Sequence, residues 1–218
     1  MAQRLMAMPA TTRLVRTLPI LDRMRTIEGW LEDDEADLLL AAAASAMAHG
    51  DGYPIVEIGS YCGRSTVVLA SAVNALAPTN RVYAIDPHEG MVGAMDQGLT
   101  AGGGTLERFQ RNLIAAGVAD VVEVIQRYSF EVDWTGPIGM LLVDGLHDYE
   151  NVARDFDHFR RFLLPTSLVA FHDYADYYPG VVALVDELIA GGDFGRVDQA
   201  RSMIVLERLS APDEAGVP

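Results

Sequence analysis

With 218 residues, half of them hydrophobic, the chain can bury one good core, and a single domain is the expectation. A net charge of -15 excludes nucleic acid and anionic membrane as expected partners, because both are bound through cationic surface. All 16 residues counted as Lys or Arg are Arg, which rules out a lysine general base, a Schiff-base lysine and a P-loop lysine.

Residues 1–30 carry Pro9 and Pro19 and read as an irregular or short-helical leader, an oligomer contact or a flap over a site. They lack the apolar core and small-residue cleavage site of a signal peptide. Glu32 to His49 is helical, opened by the acidic run Glu32-Asp33-Asp34-Glu35, which suits a helix dipole, and stopped by Gly50-Asp51-Gly52. Pro54 to Ile58 is a first strand, Gly59 to Arg64 a tight turn and Ser65 to Leu76 a helix.

Arg81 to Ile85 is a second strand ending in Asp86-Pro87. The glycine- and methionine-rich stretch 88–105 reads as a mobile lid more than as packed structure. Leu106 to Ala116 is helical, Val121 to Ile125 and Ile138 to Val143 are strands, and Tyr149 to Leu164 is a long helix. Leu168 to Phe171 is a strand and Val181 to Ala190 a helix. Phe194 to Asp198 and Met203 to Glu207 close the chain as a short pair, followed by a frayed tail over 210–218. Strands alternating with helices predict an α/β fold, a mostly parallel sheet covered on both faces. No run reaches the roughly 18 residues that span a bilayer, and the one cysteine, Cys62, excludes an intrachain disulfide. The expectation is a cytoplasmic protein.

Two strand ends carry the chemistry. Leu141-Leu142-Val143 runs into Asp144-Gly145-Leu146-His147, and Leu168-Val169-Ala170-Phe171 runs into His172-Asp173. In open α/β sheets ligands bind outside the carboxyl ends of the strands. Asp and His delivered there twice point to a metal site, an acid/base site, or both.

The first strand-to-helix turn, Glu57-Ile58-Gly59-Ser60-Tyr61-Cys62-Gly63-Arg64-Ser65-Thr66, has two glycines that can admit a ligand to the backbone and take positive φ. It is not the dinucleotide fingerprint, because no second glycine stands at the pyrophosphate position. Glu57 inside a buried strand is costly unless paired or ligand-bound, and Asp86 is suited to ribose hydroxyls. The structural alternatives are an arginine partner for Glu57 and a turn-capping role for Asp86. Cys62 reads as a small filler, since nothing nearby supplies a base for a nucleophile.

In this order, Val56 to Thr66, Val82 to Pro87 and Asp144-Gly145-x-His147-x-Tyr149 resemble class I S-adenosylmethionine-dependent methyltransferases. The nearest group is the compact, metal-dependent O-methyltransferases of sugars and natural products. The resemblance runs from about residue 50 to 208 and implies a Rossmann-like methyltransferase domain over 31–209, with seven strands, the last antiparallel. It implies that Glu57, Gly59, Ser60, Tyr61, Gly63 and Ser65 surround the methionine part of S-adenosylmethionine, with Asp86 at the ribose, Ser129 near the adenine and Asp144 beside the cofactor.

Methyl transfer needs alignment and removal of a hydroxyl proton, and a divalent ion on that hydroxyl lowers its pKa. Asp144, His172 and Asp173 are the candidate ligands for Mg or Mn, and His147 is the candidate base. Leu146 stands where many relatives carry an acid, His172 where many carry the first of two acids, and Pro165-Thr166-Ser167 replaces a Pro-Gly-Gly turn. Trp134, Tyr174, Tyr177 and Tyr178 are candidate walls for the acceptor, or else core aromatics. Asp148 and Asp155 read as helix N-terminal and surface charges.

The expected activity is O-methylation of a saccharide or glycosylated metabolite by a homodimer joined through residues 1–30. A metal-dependent hydroxylase or hydrolase of the same fold and a non-catalytic nucleotide-binding protein are the alternatives.

Overall fold

Apolar runs buried on both faces build the central sheet. In a computed structural model, which describes residues 13–49 and 52–209, the first strand is β1 (Ile55–Ile58). Its neighbours are β2 (Val82–Ile85), β5 (Val122–Ile125), β6 (Ile138–Val143) and β7 (Leu163–Phe171). The antiparallel pair β8 (Phe194–Ala200) and β9 (Met203–Arg208) completes a seven-stranded sheet of order β5-β2-β1-β6-β7-β9-β8. β1, β2, β5, β6 and β7 are parallel, and β9, the last strand, runs antiparallel to β7. Adjacent residues in the strands serve opposite layers, as the period of two requires.

Met140, Leu142 and Ala170 join a core with α1 (Thr17–Met24), α2 (Asp33–His49), α3 (Arg64–Leu76) and α4 (Leu106–Ala116). Leu141, Val143, Val169 and Phe171 pack against α5 (Tyr149–Arg160) and α6 (Pro179–Ala190). Phe156, Phe171 and Phe194 meet in this second layer at ring separations of 5.6 and 5.5 Å, each fully buried ring contributing about 1.5–3 kcal/mol.

The chain leaves β1 toward β2 and β5, then crosses to β6 on the other side of β1. The order therefore reverses between β1 and β6, where a crevice opens at the carboxyl edge. Backbone bonds set that edge. Gly59 donates to Ile85, Asp86 to Ile125, Asp144 to Ile58 and His172 to Val143, at 3.0, 3.1, 2.9 and 3.2 Å.

Three expectations differ from the structure. The stretch 88–105, read as more mobile than packed, folds a hairpin of β3 (Met91–Ala94) and β4 (Gly98–Ala101), with backbone bonds Gly102 N–H to Gly90 and Thr105 N–H to His88 closing its base. Glycine and methionine hid its strand alternation. The long helix stops at Arg160 and β7 starts at Leu163, because a bulge lets Leu163 pair with Ile138 before Leu168 pairs with Met140. Thr166 turns left-handed there at φ 70°, and Ser167 Oγ donates to Ile138 O. Residues 1–12, the Gly50-Asp51 helix stop and the tail over 210–218 lie outside the described residues.

Candidate active site

A cavity of about 1170 Å³ occupies the reversal point, bounded by the ends of β1, β2, β6 and β7, the hairpin and the segment before α2. Pockets for one small ligand run to about 1,000 Å³, so this one has room for a cofactor and a second molecule. Seven acidic side chains line it against two arginines, a field suited to cationic ligands.

Asp144, His147 and Asp173 converge on its floor, each offering a ligand atom within 4.8 Å of the others. His147 Nε2 is 3.0 Å from Asp173 Oδ2 and 3.9 Å from Asp144 Oδ1. Yet neither ring nitrogen of His147, both buried, has a hydrogen-bond partner of acceptable direction. Two carboxylates and an imidazole with undirected lone-pair positions fit a divalent cation. Burial opposes a charge on His147, but the neighbouring Asp144 and Asp173 carboxylates outweigh it and raise its pKa to about 9. Asp173 reaches inward from a left-handed backbone at φ 61°, a strained conformation for a non-glycine residue.

His172, expected as a ligand, adjoins this group and also lines the cavity. Its Nδ1 lies 3.1 Å from Asp173 Oδ2 and 3.3 Å from Asp144 Oδ1, and its Nε2 lies 3.2 Å from Glu35 Oε2. Both nitrogens face carboxylate oxygens, so both carry protons. Burial acts against that cation, and the surrounding acids overcome it and raise the pKa far above the ordinary value. Among the described residues, the group that could hold an ion contains His147 where His172 was expected.

Both glycines of the first turn take positive φ as expected, and Gly59 lines the cavity. A Cβ on Gly59 would lie 2.0 Å from the Asp144 carbonyl oxygen, and one on Gly63 would lie 3.1 Å from the Phe109 ring. Both glycines make room for protein. Glu57 is fully buried and faces α3, accepting from Ser65 Oγ at 2.5 Å and Thr66 Oγ1 at 2.6 Å. Burial, against those two bonds, pushes its pKa up to about 8. The carboxylate of Glu57 is thus paired by the Ser65 and Thr66 hydroxyls and not by the arginine weighed as its partner.

Glu57, Ser60, Gly63 and Ser65 lie behind the cavity wall, whereas Gly59, Tyr61, Asp86, Ser129 and Asp144 line it. Cys62 is buried, and burial pushes its thiol up, in keeping with a filler. Asp86 accepts from Tyr61 N–H at 2.7 Å and His88 N–H at 2.6 Å through different oxygens. Each oxygen keeps a lone pair, so Asp86 both braces the turn and can accept from a ligand's hydroxyls.

Asp155, expected on the surface, is buried on the cavity wall and accepts from Ser129 Oγ. Burial outweighs that bond and raises its pKa to about 6. Gly145 allows this approach, since a Cβ there would stand 2.6 Å from Asp155 Oδ2. Asp148 caps α5 as expected, accepting from Asn151 N–H, and its other oxygen accepts from Met95 N–H at 3.0 Å.

With His147 N–H donating to Gly93 O at 3.1 Å, the hairpin is tied to the loop after β6. Among the aromatics, Tyr177 and Tyr178 line the cavity, and Tyr178 packs on the His147 ring at 4.3 Å. Trp134 packs on Tyr83 and Phe159, and the Tyr174 hydroxyl donates to Asp186; neither lines the cavity.

Sequence reasoning missed Glu35 and Trp30. Glu35 belongs to an acidic run that looks like ordinary helix-dipole chemistry, and its partners lie far along the chain. Trp30 stands on the cavity wall beside Tyr61 at 5.4 Å, and the Tyr61 hydroxyl donates to Glu28 at 2.9 Å.

A sheet of this order, with Asp86 at the end of its second strand and acids after the strands beyond the reversal, defines a class I methyltransferase fold. The methyltransferase-domain family Methyltransf_24 matches residues 56–174, more than half of the chain, and the protein belongs to that family. Three solved structures share its architecture. The O-methyltransferase NovP is 16% identical at a TM-score of 0.69, covering 82% of this chain and 81% of its own. TomG, an O-methyltransferase from Streptomyces achromogenes involved in tomaymycin synthesis and solved with S-adenosylmethionine, is 18% identical at 0.60, covering 89% and 90%. CalS11, a TDP-rhamnose 3'-O-methyltransferase of calicheamicin biosynthesis, is 17% identical at 0.59, covering 79% and 76%. The chain is an S-adenosylmethionine-dependent methyltransferase. None of its described helices is long and apolar enough to cross a membrane.

Proposed function

We propose that this protein transfers the methyl group of S-adenosylmethionine to a hydroxyl of a saccharide or glycosylated small molecule, assisted by a divalent cation, Mg or Mn. The observation that carries the reading is the convergence of Asp144, His147 and Asp173 on the floor of a cavity with room for cofactor and acceptor. Asp86 accepts the ribose hydroxyls, and Ser129, held by Asp155, stands at the adenine end. The surrounding acids favour the cationic sulfonium. Asp144 and Asp173 hold the cation, which when bound makes the acceptor hydroxyl more acidic.

His147 Nε2 receives that proton. The charge of the two carboxylates favours its protonated form, so it serves as acceptor where that charge is offset. Tyr178, packed at a tilt against the imidazole, limits its ring rotation, and Tyr177 offers a face on which a sugar ring can lie. The names of NovP and CalS11 agree with hydroxyl and sugar acceptors, respectively. In a second reading, favoured by the clustering of all three ligand atoms, His147 is the third ligand.

Methyl-labelled S-adenosylmethionine incubated with nucleotide sugars and aryl glycosides, with and without chelator, tests the proposal. Label on a sugar oxygen that disappears with chelator supports it. Transfer to nitrogen or carbon, or transfer indifferent to chelation, overturns it.

The segment before residue 31 acts in this proposal as a flap, with Trp30 on the cavity wall. Leu14 and Leu18, at 81% and 71% exposure, supply an apolar face for a cytoplasmic homodimer. A monomer by light scattering would remove the dimer.

A further inference from the structure

We infer that Glu35, on the first turn of α2, is a positioning residue for the cation site. It locks His172 into the orientation that holds the Asp144 and Asp173 carboxylates, an inference that rests on the cation reading above. Glu35 is 2% exposed and His172 4%. A carboxylate buried that deeply is costly unless every lone pair is engaged, and here each oxygen has two donors. Oε1 accepts from Ser202 N–H at 3.0 Å and Ser202 Oγ at 2.7 Å. Oε2 accepts from Glu32 N–H at 2.9 Å and His172 Nε2 at 3.2 Å. Helix capping explains the Glu32 bond alone. The other three reach β7 and the turn between β8 and β9.

The imidazole has one rotational setting that satisfies this arrangement. With Nε2 fixed on Glu35, Nδ1 points between Asp173 Oδ2 at 3.1 Å and Asp144 Oδ1 at 3.3 Å. A single N–H shared by both acids holds one oxygen of each, while the other Asp173 oxygen accepts from the Tyr177 hydroxyl at 3.1 Å and His147 Nε2 stands 3.0 Å from the shared Asp173 oxygen. The departure from two acids at the end of β7 thus has a counterpart. His172 replaces an acid there, and Glu35 arrives from α2 to orient it and balance its charge.

Partners one step removed from a metal typically govern its affinity by about 10–100-fold. Removing Glu35 frees the ring and deletes a nearby negative charge, and both effects weaken cation binding.

The test is Mn2+ binding to the full chain by titration calorimetry, with S-adenosylhomocysteine affinity measured on the same samples. Glu35→Gln cannot satisfy both pairs of donors, and we expect its Kd for Mn2+ to rise at least about tenfold while S-adenosylhomocysteine binds as in the wild type. In a His172→Asn background, Glu35→Gln should add less than about twofold, because the residue it acts through is gone.

An Mn2+ Kd unchanged or lower in Glu35→Gln, or an undiminished effect in the His172→Asn background, overturns the positioning role. A wild type that binds no Mn2+ overturns the cation reading and this inference together, which separates the two failures. If Glu35→Gln loses S-adenosylhomocysteine binding through misfolding, Ser202→Ala decides, since it removes one bond to Oε1. A raised Mn2+ Kd with normal S-adenosylhomocysteine binding supports the role, and an unchanged Mn2+ Kd overturns it.

Discussion

The carbonyl oxygen of Asp144 occupies the space where a side chain on Gly59 would have to lie, 2.0 Å from an ideal Cβ. The ends of β1 and β6 touch there through backbone alone. Gly59 also has φ 84°, which L side chains rarely adopt. Gly59→Ala should therefore cost about 3 kcal/mol or more, from the left-handed conformation plus displacement of the loop that carries Asp144 and His147. Urea denaturation should show the midpoint shift. A loss under about 1 kcal/mol would mean that the two strand ends are not so closely apposed.

Glu57 should leave a mark on stability against pH. Its folded pKa of about 8 stands above the ordinary 4.5 because burial disfavours the carboxylate. Between these values the folded state keeps the proton and the unfolded chain has lost it, so rising pH favours unfolding; below 4.5 and above 8 the contribution is flat. Glu57→Gln should reduce the decline in stability between about pH 4.5 and 8, read from urea curves across that range. An undiminished slope in the variant would assign the decline to other groups.

The parts of the site legible in sequence are those that follow from local pattern. Asp86 and Asp144 each end an apolar run, Asp173 follows one by a single residue, and a parallel sheet brings such ends to one edge. Glu57 has Ser65 and Thr66 as partners, and strand alternation holds the clue. It shares the period-two face of Ile55, the face packed by α3, where Ser65 and Thr66 stand on the first turn. Asp155 was misread because its burial depends on the turn carrying Ser129 folding onto α5. Glu35 and His172 are 137 residues apart, and neither helix periodicity nor strand pattern relates them. The hairpin escaped notice because its pairing is local but its residues are poor strand formers.

His147→Ala separates the two roles open to this side chain. As proton acceptor, its loss should lower turnover by about 10²–10⁴-fold with Mn2+ and S-adenosylhomocysteine still bound. As third ligand, its loss should weaken Mn2+ binding in step with turnover. Calorimetry on the variant distinguishes them. Near-wild-type turnover with normal Mn2+ affinity would remove His147 from both.

Asp148 joins the helix that follows the site to the hairpin that overhangs it. One oxygen caps α5 through Asn151 N–H, and the other holds Met95 N–H, while Asn151 Nδ2 bridges both at 2.8 Å. Its pKa is lowered: burial opposes ionisation, and the bonds from Met95 and Asn151 outweigh it. Asp148→Ala should cost about 1 kcal/mol through the lost cap, a modest loss that leaves the domain folded. The larger effect belongs to residues 91–101, which then keep only the His147 N–H to Gly93 bond of the two ties described here. Amide exchange across that span should accelerate in the variant while exchange in β1 and β6 is unchanged. Because Met91, Met95 and Leu99 line the cavity, acceptor KM should rise more than kcat falls. Uniform acceleration of exchange through the sheet would instead show that Asp148 serves only the global stability of the domain.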